Sequence, residues 1–340
     1  MSAAGDWSGR RVLVPGGLGF LGLNTVAELL RRGAEVRVLS RSAPPLALRW
    51  LNDLRQGRDL EVLEGDIADE GGWGKWLDGV DTVVHLAGES GAAKSLQQAW
   101  LDLRVNVEGH LTLLDALRGM RSPPSVVFAS SRLVYGRTGD QMVTEESLTV
   151  PTSLYGVHKL TIEHYLRIYG LSFGLRSISL RLTNPFGPHQ LPERQTHGFV
   201  NRFVVRAMHG EPLVVFGNGS QRRDVFFVTD AVAALLAAAD QASTAAPCLN
   251  LGAGESRSLV SIARAVAQRV EGVEVELQPW PAADKLVETG DFLCSAARAH
   301  SVLGWSPQVS FEEGLDRTVE FYRQVVGRAA TGTREVSGDR

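Results

Sequence analysis

A chain of 340 residues, 44% hydrophobic and 21% charged, is long enough for two domains or one large one and has a globular composition, which excludes wholesale disorder. Its net charge of −3 gives no electrostatic case for a nucleic acid or an anionic membrane. Two cysteines, Cys248 and Cys294, exclude a disulfide framework and a cysteine-rich zinc site and suit a reducing compartment.

Met1–Trp7 lacks the basic flank and apolar run of a secretory signal, so a cytoplasmic protein is expected. The first half then alternates β-branched runs with helical patterns. Strands are expected at Arg11–Val14, Glu35–Leu39, Leu60–Leu63, Thr82–Leu86 and Ser125–Ala129, and amphipathic helices at Leu21–Arg32 and Leu96–Leu117. This β-α-β order with short connections predicts an α/β fold with a doubly wound parallel sheet covered on both faces.

The pattern weakens after about residue 183. Asn184–Arg194, rich in proline and polar residues, reads as a loop. Short strands at Leu213–Phe216 and Val273–Leu277 and helices at Val260–Arg269 and Phe311–Val326 follow. The apolar run Ala231–Ala239 is too short to span a bilayer. We expect a dinucleotide-binding domain over 10–183 with about 225–255 interleaved, a smaller C-terminal α/β substrate lobe mainly over 184–328, and a frayed tail over 329–340.

The first strand runs into Gly16-Gly17-Leu18-Gly19-Phe20-Leu21-Gly22 and then a helix. Gly16 suits the tight turn, Gly19 a close backbone approach to a pyrophosphate, and Gly22 the packing of helix on strand. The helix N-terminus offers free N–H groups and the positive end of its dipole to phosphates. The second strand ends in Ser40-Arg41-Ser42, without the carboxylate that accepts from the ribose 2′-OH of NAD. Arg41 suits a 2′-phosphate instead, so the reading for NAD(P) leans to NADP. Asp66, after the third strand, can accept from the adenine amino group; an ordinary turn aspartate is the plain alternative.

Tyr155 and Lys159 stand at i and i+4, on one face of a helix. An ammonium beside a phenol favours phenolate and lowers the tyrosine pKa, which suits proton exchange with a sugar hydroxyl or ketone. Val126–Ala129 is an apolar strand ending in Ser130 and Ser131, and such strand ends face the ligand crevice. Ser131 is placed to bond the oxygen that Tyr155 protonates. The eight histidines show no metal-ligand spacing, so no metal is expected, and His85 reads as a satisfied strand histidine.

These motifs resemble the extended short-chain dehydrogenase/reductases of the NAD-dependent epimerase/dehydratase type that act on nucleotide sugars. The resemblance runs from about Arg10 to Val326. Besides the glycine turn it rests on Gly65-Asp66-Ile67, His85-Leu86-Ala87-Gly88, Asn106-Val107-Glu108-Gly109, Ser130-Ser131-Arg132-Leu133-Val134-Tyr135-Gly136, Tyr155-x-x-x-Lys159, Arg181–Pro188 and Gly217–Asp224. It implies a Rossmann-type fold with Ser131, Tyr155 and Lys159 as catalytic residues. It implies cofactor contacts from Gly16, Gly19, Phe20, Leu21, Gly22, Arg41, Asp66, Ile67, Leu86, Ala87, Gly88, Asn106, Ser130, Tyr155 and Lys159. Substrate contacts are implied for Ser131, Asn184, Val214, Phe216 and Arg223, the last pairing with a diphosphate. A homodimer through the helices carrying Asn106 and Tyr155 is implied as well.

The chain departs from the pattern at Pro15, where the family usually has Thr, and at Cys294, in a segment where many relatives carry Asp. Arg132-Leu133 stands where sugar 4,6-dehydratases carry Asp-Glu. The reading is therefore a nucleotide-sugar epimerase, acting at C4 of a nucleoside-diphosphate hexose or hexuronate through a keto intermediate with a retained nicotinamide. The alternatives are an NADPH-dependent reductase of nucleotide 4-keto-deoxysugars and a non-catalytic NAD(P) sensor. Pocket loops at Glu89–Lys94 and Leu191–Phe199 would carry specificity, with Glu89 and His189 marked there without a role.

Overall fold

The computed structural model describes residues 5–58, 60–193 and 198–335, with side chains through Gly327. Strands β1 (Arg11–Pro15), β2 (Glu35–Ser40), β3 (Leu60–Glu64), β4 (Thr82–His85), β5 (Ser125–Ser131) and β6 (Ser177–Leu182) follow one another through the first half. Four short strands come next: β7 (Asn184–Phe186), β8 (Leu213–Phe216), β9 (Arg222–Arg223) and β10 (Val225–Phe227). Strands β11 (Cys248–Leu251), β12 (Arg257–Ser258) and β13 (Val275–Gln278) complete the set. The central sheet has seven parallel strands in the order β11-β6-β5-β4-β1-β2-β3.

The alternation of side chains along each strand feeds two cores. Val12, Val14, Val38, Val84 and Val127 join the cluster that also holds residues of the helices Phe20–Arg31 and Val228–Ala239. Leu13, Leu39, Val83, Val126 and Phe128 join the opposite cluster, with Trp73, Trp76, Leu113, Ile162 and Leu166. Both faces are thus apolar, which is why these strands read as near-continuous hydrophobic runs. A third cluster gathers Phe203, Val204, Leu213, Val215, Ile262, Phe311 and Leu315 away from the sheet. The chain returns to the sheet after that region begins, since β11 pairs with β6 in register Leu249↔Leu180.

Three expectations change. Asn184–Arg194 is not all loop, because Asn184–Phe186 pairs in parallel with Val225–Phe227. The single helix expected over Leu96–Leu117 is broken into Ala92–Gln97, Ala99–Leu103, a π-helical turn at Arg104–Glu108 and Gly109–Arg118. Widening a helix by one residue re-aims its side chains, a frequent feature of functional sites. The last helix runs Phe311–Glu335, into the segment read as a frayed tail; 336–340 and 1–4 lie outside the described residues. Among the described residues no helix is long and apolar enough to cross a membrane.

Candidate active site

A cleft of about 720 Å³ opens at the carboxyl ends of the parallel strands, where ligands bind in doubly wound sheets. The glycine turn forms one wall. Gly16 sits at φ +81°, and a Cβ there would stand 2.6 Å from the Ala87 amide nitrogen. A Cβ on Gly22 would strike the Gly16 carbonyl oxygen. The helix Phe20–Arg31 begins at Gly19 with no side-chain cap, so its first amides remain available to an anion. This cradle fits a dinucleotide pyrophosphate.

All the residues expected at the cofactor line this cleft except Asn106: Gly16, Gly19, Phe20, Leu21, Gly22, Arg41, Asp66, Ile67, Leu86, Ala87, Gly88, Ser130, Tyr155 and Lys159. Asn106 lies just behind, fully buried in the π turn. Its Nδ2 donates to the Glu89 carbonyl at 3.1 Å, and its Oδ1, beside Gly88, has no hydrogen-bond partner. Asp66 is partly occupied, its Oδ1 accepting from the Ala68 amide at 3.0 Å. Arg41 is not a free fork: Nη2 donates to Glu89 Oε1 at 3.0 Å. The lean to NADP rests on Arg41 and on the missing carboxylate at the end of β2, and Glu89 already engages one N–H of that guanidinium.

The helix Leu154–Phe173 carries Tyr155 and Lys159. Ser153 caps it by accepting from the Gly156 amide at 3.2 Å, and Gly174, at φ +73°, ends it. Ser131, at the end of β5, lines the cleft with Tyr155 and accepts from the Leu133 amide at 3.2 Å. Lys159 Nζ donates to the Ala129 carbonyl at 2.9 Å and lies 5.7 Å from the Tyr155 ring centroid. The expected drop in the tyrosine pKa is absent from the chain by itself. Burial pushes the Tyr155 phenol up, the Ser131 hydroxyl pulls it down, and the Asp102 charge pushes it further up. Burial also lowers Lys159 to about 8, against the charges of Asp102 and Glu163, which raise it.

Ser130 lines the cleft, but its hydroxyl donates to Glu163 Oε1 at 2.5 Å. Glu163 is one turn beyond Lys159 and forms a buried pair with Arg181, Nη2 to Oε2 at 2.6 Å. Arg181 Nη1 donates to the Tyr135 hydroxyl at 2.8 Å, which donates to Asn250 Oδ1 at 2.7 Å. This network ties β5, the helix Leu154–Phe173, β6 and β11 together beneath the cleft. Reading the sequence for Tyr-x-x-x-Lys passed over Glu163; the same i, i+4 spacing carried one turn further finds it.

Of the substrate positions, Ser131 and Asn184 line the cleft, with Asn184 Nδ2 donating to the Asp224 carbonyl at 2.7 Å. Val214, Phe216 and Arg223 do not line it. Phe216 packs on Trp280, ring centroids 5.4 Å apart. The buried Arg223 fork, expected open to a diphosphate, is closed by Glu288 Oε1 at 2.5 Å and the Gly290 carbonyl at 2.6 Å. His189 is wedged against Trp50 and Phe321 rather than on the cleft wall. His85 stacks on His110 with centroids 4.1 Å apart, and its ring nitrogens find no hydrogen-bond partner, so it is not the satisfied histidine expected. Burial, helped by the Lys159 charge, lowers His85 to about 3 and keeps it neutral. Among the described residues no group of three His, Cys, Asp or Glu side chains could hold a metal ion.

The model of the NAD dependent epimerase/dehydratase family matches residues 12–252. The dTDP-glucose 4,6-dehydratase of Xanthomonas campestris pv. campestris (strain B100) is 29% identical over 333 residues, 91% of this chain and 92% of that protein. The dTDP-L-rhamnose 4-epimerase of Burkholderia thailandensis is 26% identical over 358 residues, 94% of this chain and 97% of that protein. The solved UDP-glucose 4-epimerase of Thermus thermophilus, in complex with NAD, superposes with a TM-score of 0.81 at 31% identity over 92% of this chain and 99% of that one. The glycine cradle and the Ser131, Tyr155 and Lys159 cluster both fall inside the matched span, and the chain belongs to the NAD dependent epimerase/dehydratase family.

Proposed function

We propose that the protein is a nucleotide-sugar epimerase, inverting C4 of a nucleoside-diphosphate hexose or hexuronate through a transient ketone and keeping its dinucleotide bound. The observation that carries this reading is the side chain pair after Ser131. Arg132 is buried, with Nη1 on Thr289 Oγ1 at 3.0 Å and its guanidinium over the Phe292 ring, and Leu133 lines the cleft. Neither supplies the carboxylic acid that eliminating water from a sugar requires. Relatives include dehydratases and epimerases alike.

The dinucleotide, when bound, supplies a hydride acceptor that returns what it takes. Gly16, Gly19 and the start of the helix Phe20–Arg31 hold its pyrophosphate. Tyr155 takes the proton of the sugar hydroxyl and gives it back to the ketone oxygen. Ser131 orients that oxygen by bonding both it and the phenol. Lys159, anchored to the Ala129 carbonyl, keeps further N–H groups for the cofactor ribose and brings the positive charge that eases phenolate formation once a ligand changes the surroundings. The intact trio argues against a pure sensor.

A homodimer through the helices carrying Asn106 and Tyr155 fits the same reading. Trp100 is 82% exposed there, and Val157, Ile168 and Leu171 are exposed along the catalytic helix. A cytoplasmic location fits the same reading, with Cys248 and Cys294 both free.

Mass spectrometry of nucleotide released on denaturation, paired with assays on UDP- and dTDP-hexoses, tests the proposal. Near-stoichiometric dinucleotide and interconversion of 4-epimers without net redox are expected. An empty site that consumes added NADPH on a 4-keto sugar would establish the reductase instead.

A further inference from the structure

Three side chains from separate segments meet in the cleft beside the end of β2. Arg41 comes from that end, Glu89 from the end of β4, and Lys94 from the short helix Ala92–Gln97. Sheet order brings them together, since β4, β1 and β2 are consecutive strands. Arg41 Nη2 donates to one oxygen of Glu89 at 3.0 Å and Lys94 Nζ to the other at 2.6 Å. The Glu89 backbone is also held, its carbonyl accepting from the buried Asn106 Nδ2. Glu89 is the recessed member, its side chain 13% exposed against 54% for Arg41. Burial pushes the Glu89 carboxyl up, but the hydrogen bonds from Lys94 and Arg41 outweigh it and hold the pKa below the ordinary value.

We propose that Glu89 sets the choice between the two dinucleotides, selecting NAD by occupying the Arg41 fork and by supplying, from β4, the ribose-facing carboxylate that β2 lacks. The proposal rests on the reading that this cleft holds a nicotinamide dinucleotide. In doubly wound sheets the adenosine ribose lies near the end of the second strand, where a carboxylate accepts from its hydroxyls or an arginine meets a 2′-phosphate. A phosphate monoester carries about −1.5 to −2 charges at neutral pH. To bond Arg41 it must stand beside a carboxylate that already holds one of the guanidinium N–H groups. Ribose hydroxyls meet no such conflict, because they donate to an ionised carboxylate. With Glu89 neutralised, Arg41 and Lys94 face the cleft as two cations without a counter-ion, and the guanidinium regains the fork geometry that suits phosphate. Arg41 alone therefore does not mark an NADP site; its partner decides.

The test compares the wild-type protein, Glu89→Gln and the double variant Glu89→Gln with Arg41→Ala. Bound nucleotide is identified by mass spectrometry after denaturation, and stripped protein is titrated calorimetrically with NAD and with NADP. The wild type should prefer NAD. Glu89→Gln should raise the NADP-to-NAD affinity ratio by about tenfold or more, the scale of one charge-assisted hydrogen bond, and adding Arg41→Ala should remove that gain. A wild type that prefers NADP, or a ratio in Glu89→Gln within about twofold of wild type, overturns the proposal. The wild-type arm stands alone if the variants do not fold. A wild type that binds neither dinucleotide overturns the cofactor reading itself, whereas NAD binding with an unmoved ratio overturns only the role of Glu89.

Discussion

His158 Nδ1 and Asp102 Oδ1 lie 2.6 Å apart in a buried pair, one residue before Lys159 on the catalytic helix. The Asp102 charge reaches both Tyr155 and Lys159 and pushes each pKa upward, with burial in the case of Tyr155 and against it in the case of Lys159. A negative charge disfavours phenolate and favours ammonium, so the two effects have the same sign.

Asp102→Asn keeps an acceptor for His158 and removes the charge. Both limbs of the pH–rate profile should therefore move together to lower pH, by on the order of one unit. The lower limb follows Lys159, which starts from about 8, and the upper limb follows the Tyr155 phenol, which burial holds above its ordinary value. A profile that loses height without moving would remove Asp102 from pKa control.

Tyr155→Phe removes the proton carrier and leaves the glycine cradle intact. Turnover should fall by about 10²–10⁴, the usual worth of general acid–base catalysis, while the purified protein still retains its dinucleotide. Steady-state rates and the released nucleotide are the two readouts, and near-normal turnover would take Tyr155 out of the mechanism.

Glu163→Gln leaves Arg181 buried without its counter-ion. Removing one partner of a buried pair costs about 3–5 kcal/mol. The urea midpoint should fall accordingly. A weaker acceptor for Ser130, an amide oxygen in place of a carboxylate, should also loosen the end of β5, so a variant that still folds should show slower turnover with dinucleotide retained.

The exposed Trp100 is the natural probe of self-association. Trp100→Glu should shift the mass measured by light scattering from dimer to monomer without changing the circular dichroism spectrum. A chain that is monomeric before the substitution contradicts the homodimer directly.

Much of the sheet was legible from the order of residues, because doubly buried strands must be apolar on both sides and glycine turns punctuate them. Strands at Arg11, Glu35, Leu60, Thr82 and Ser125 lie within a residue or two of their expected ends. The π turn around Asn106 was not legible, since helical periodicity over Leu96–Leu117 does not register one inserted residue. Pairing of β7 with β10 also escaped, because three-residue strands leave no alternation to read. At the site, the glycine turn, Ser131, Tyr155 and Lys159 line one cleft, whereas Val214, Phe216 and Arg223 lie off it. Residues defined by long-range partners, such as Glu89 on Arg41, Glu288 on Arg223 and Asp102 on His158, depend on sheet order and loop packing that no local pattern encodes.

The late return of β11 to the sheet bears on how the chain is made. During synthesis β6 emerges with Ile178, Leu180 and Leu182 ready to pack, yet its outer edge has no neighbour until Cys248–Leu251 arrives. An apolar strand with an open edge is a template for joining other chains. The nascent protein therefore passes through a window in which the catalytic helix is already translated while the sheet beneath it is still sticky. A ribosome pause before residue 248 would lengthen that window and favour aggregation, and a chaperone that shields β6 would raise the yield of active protein without touching its final stability.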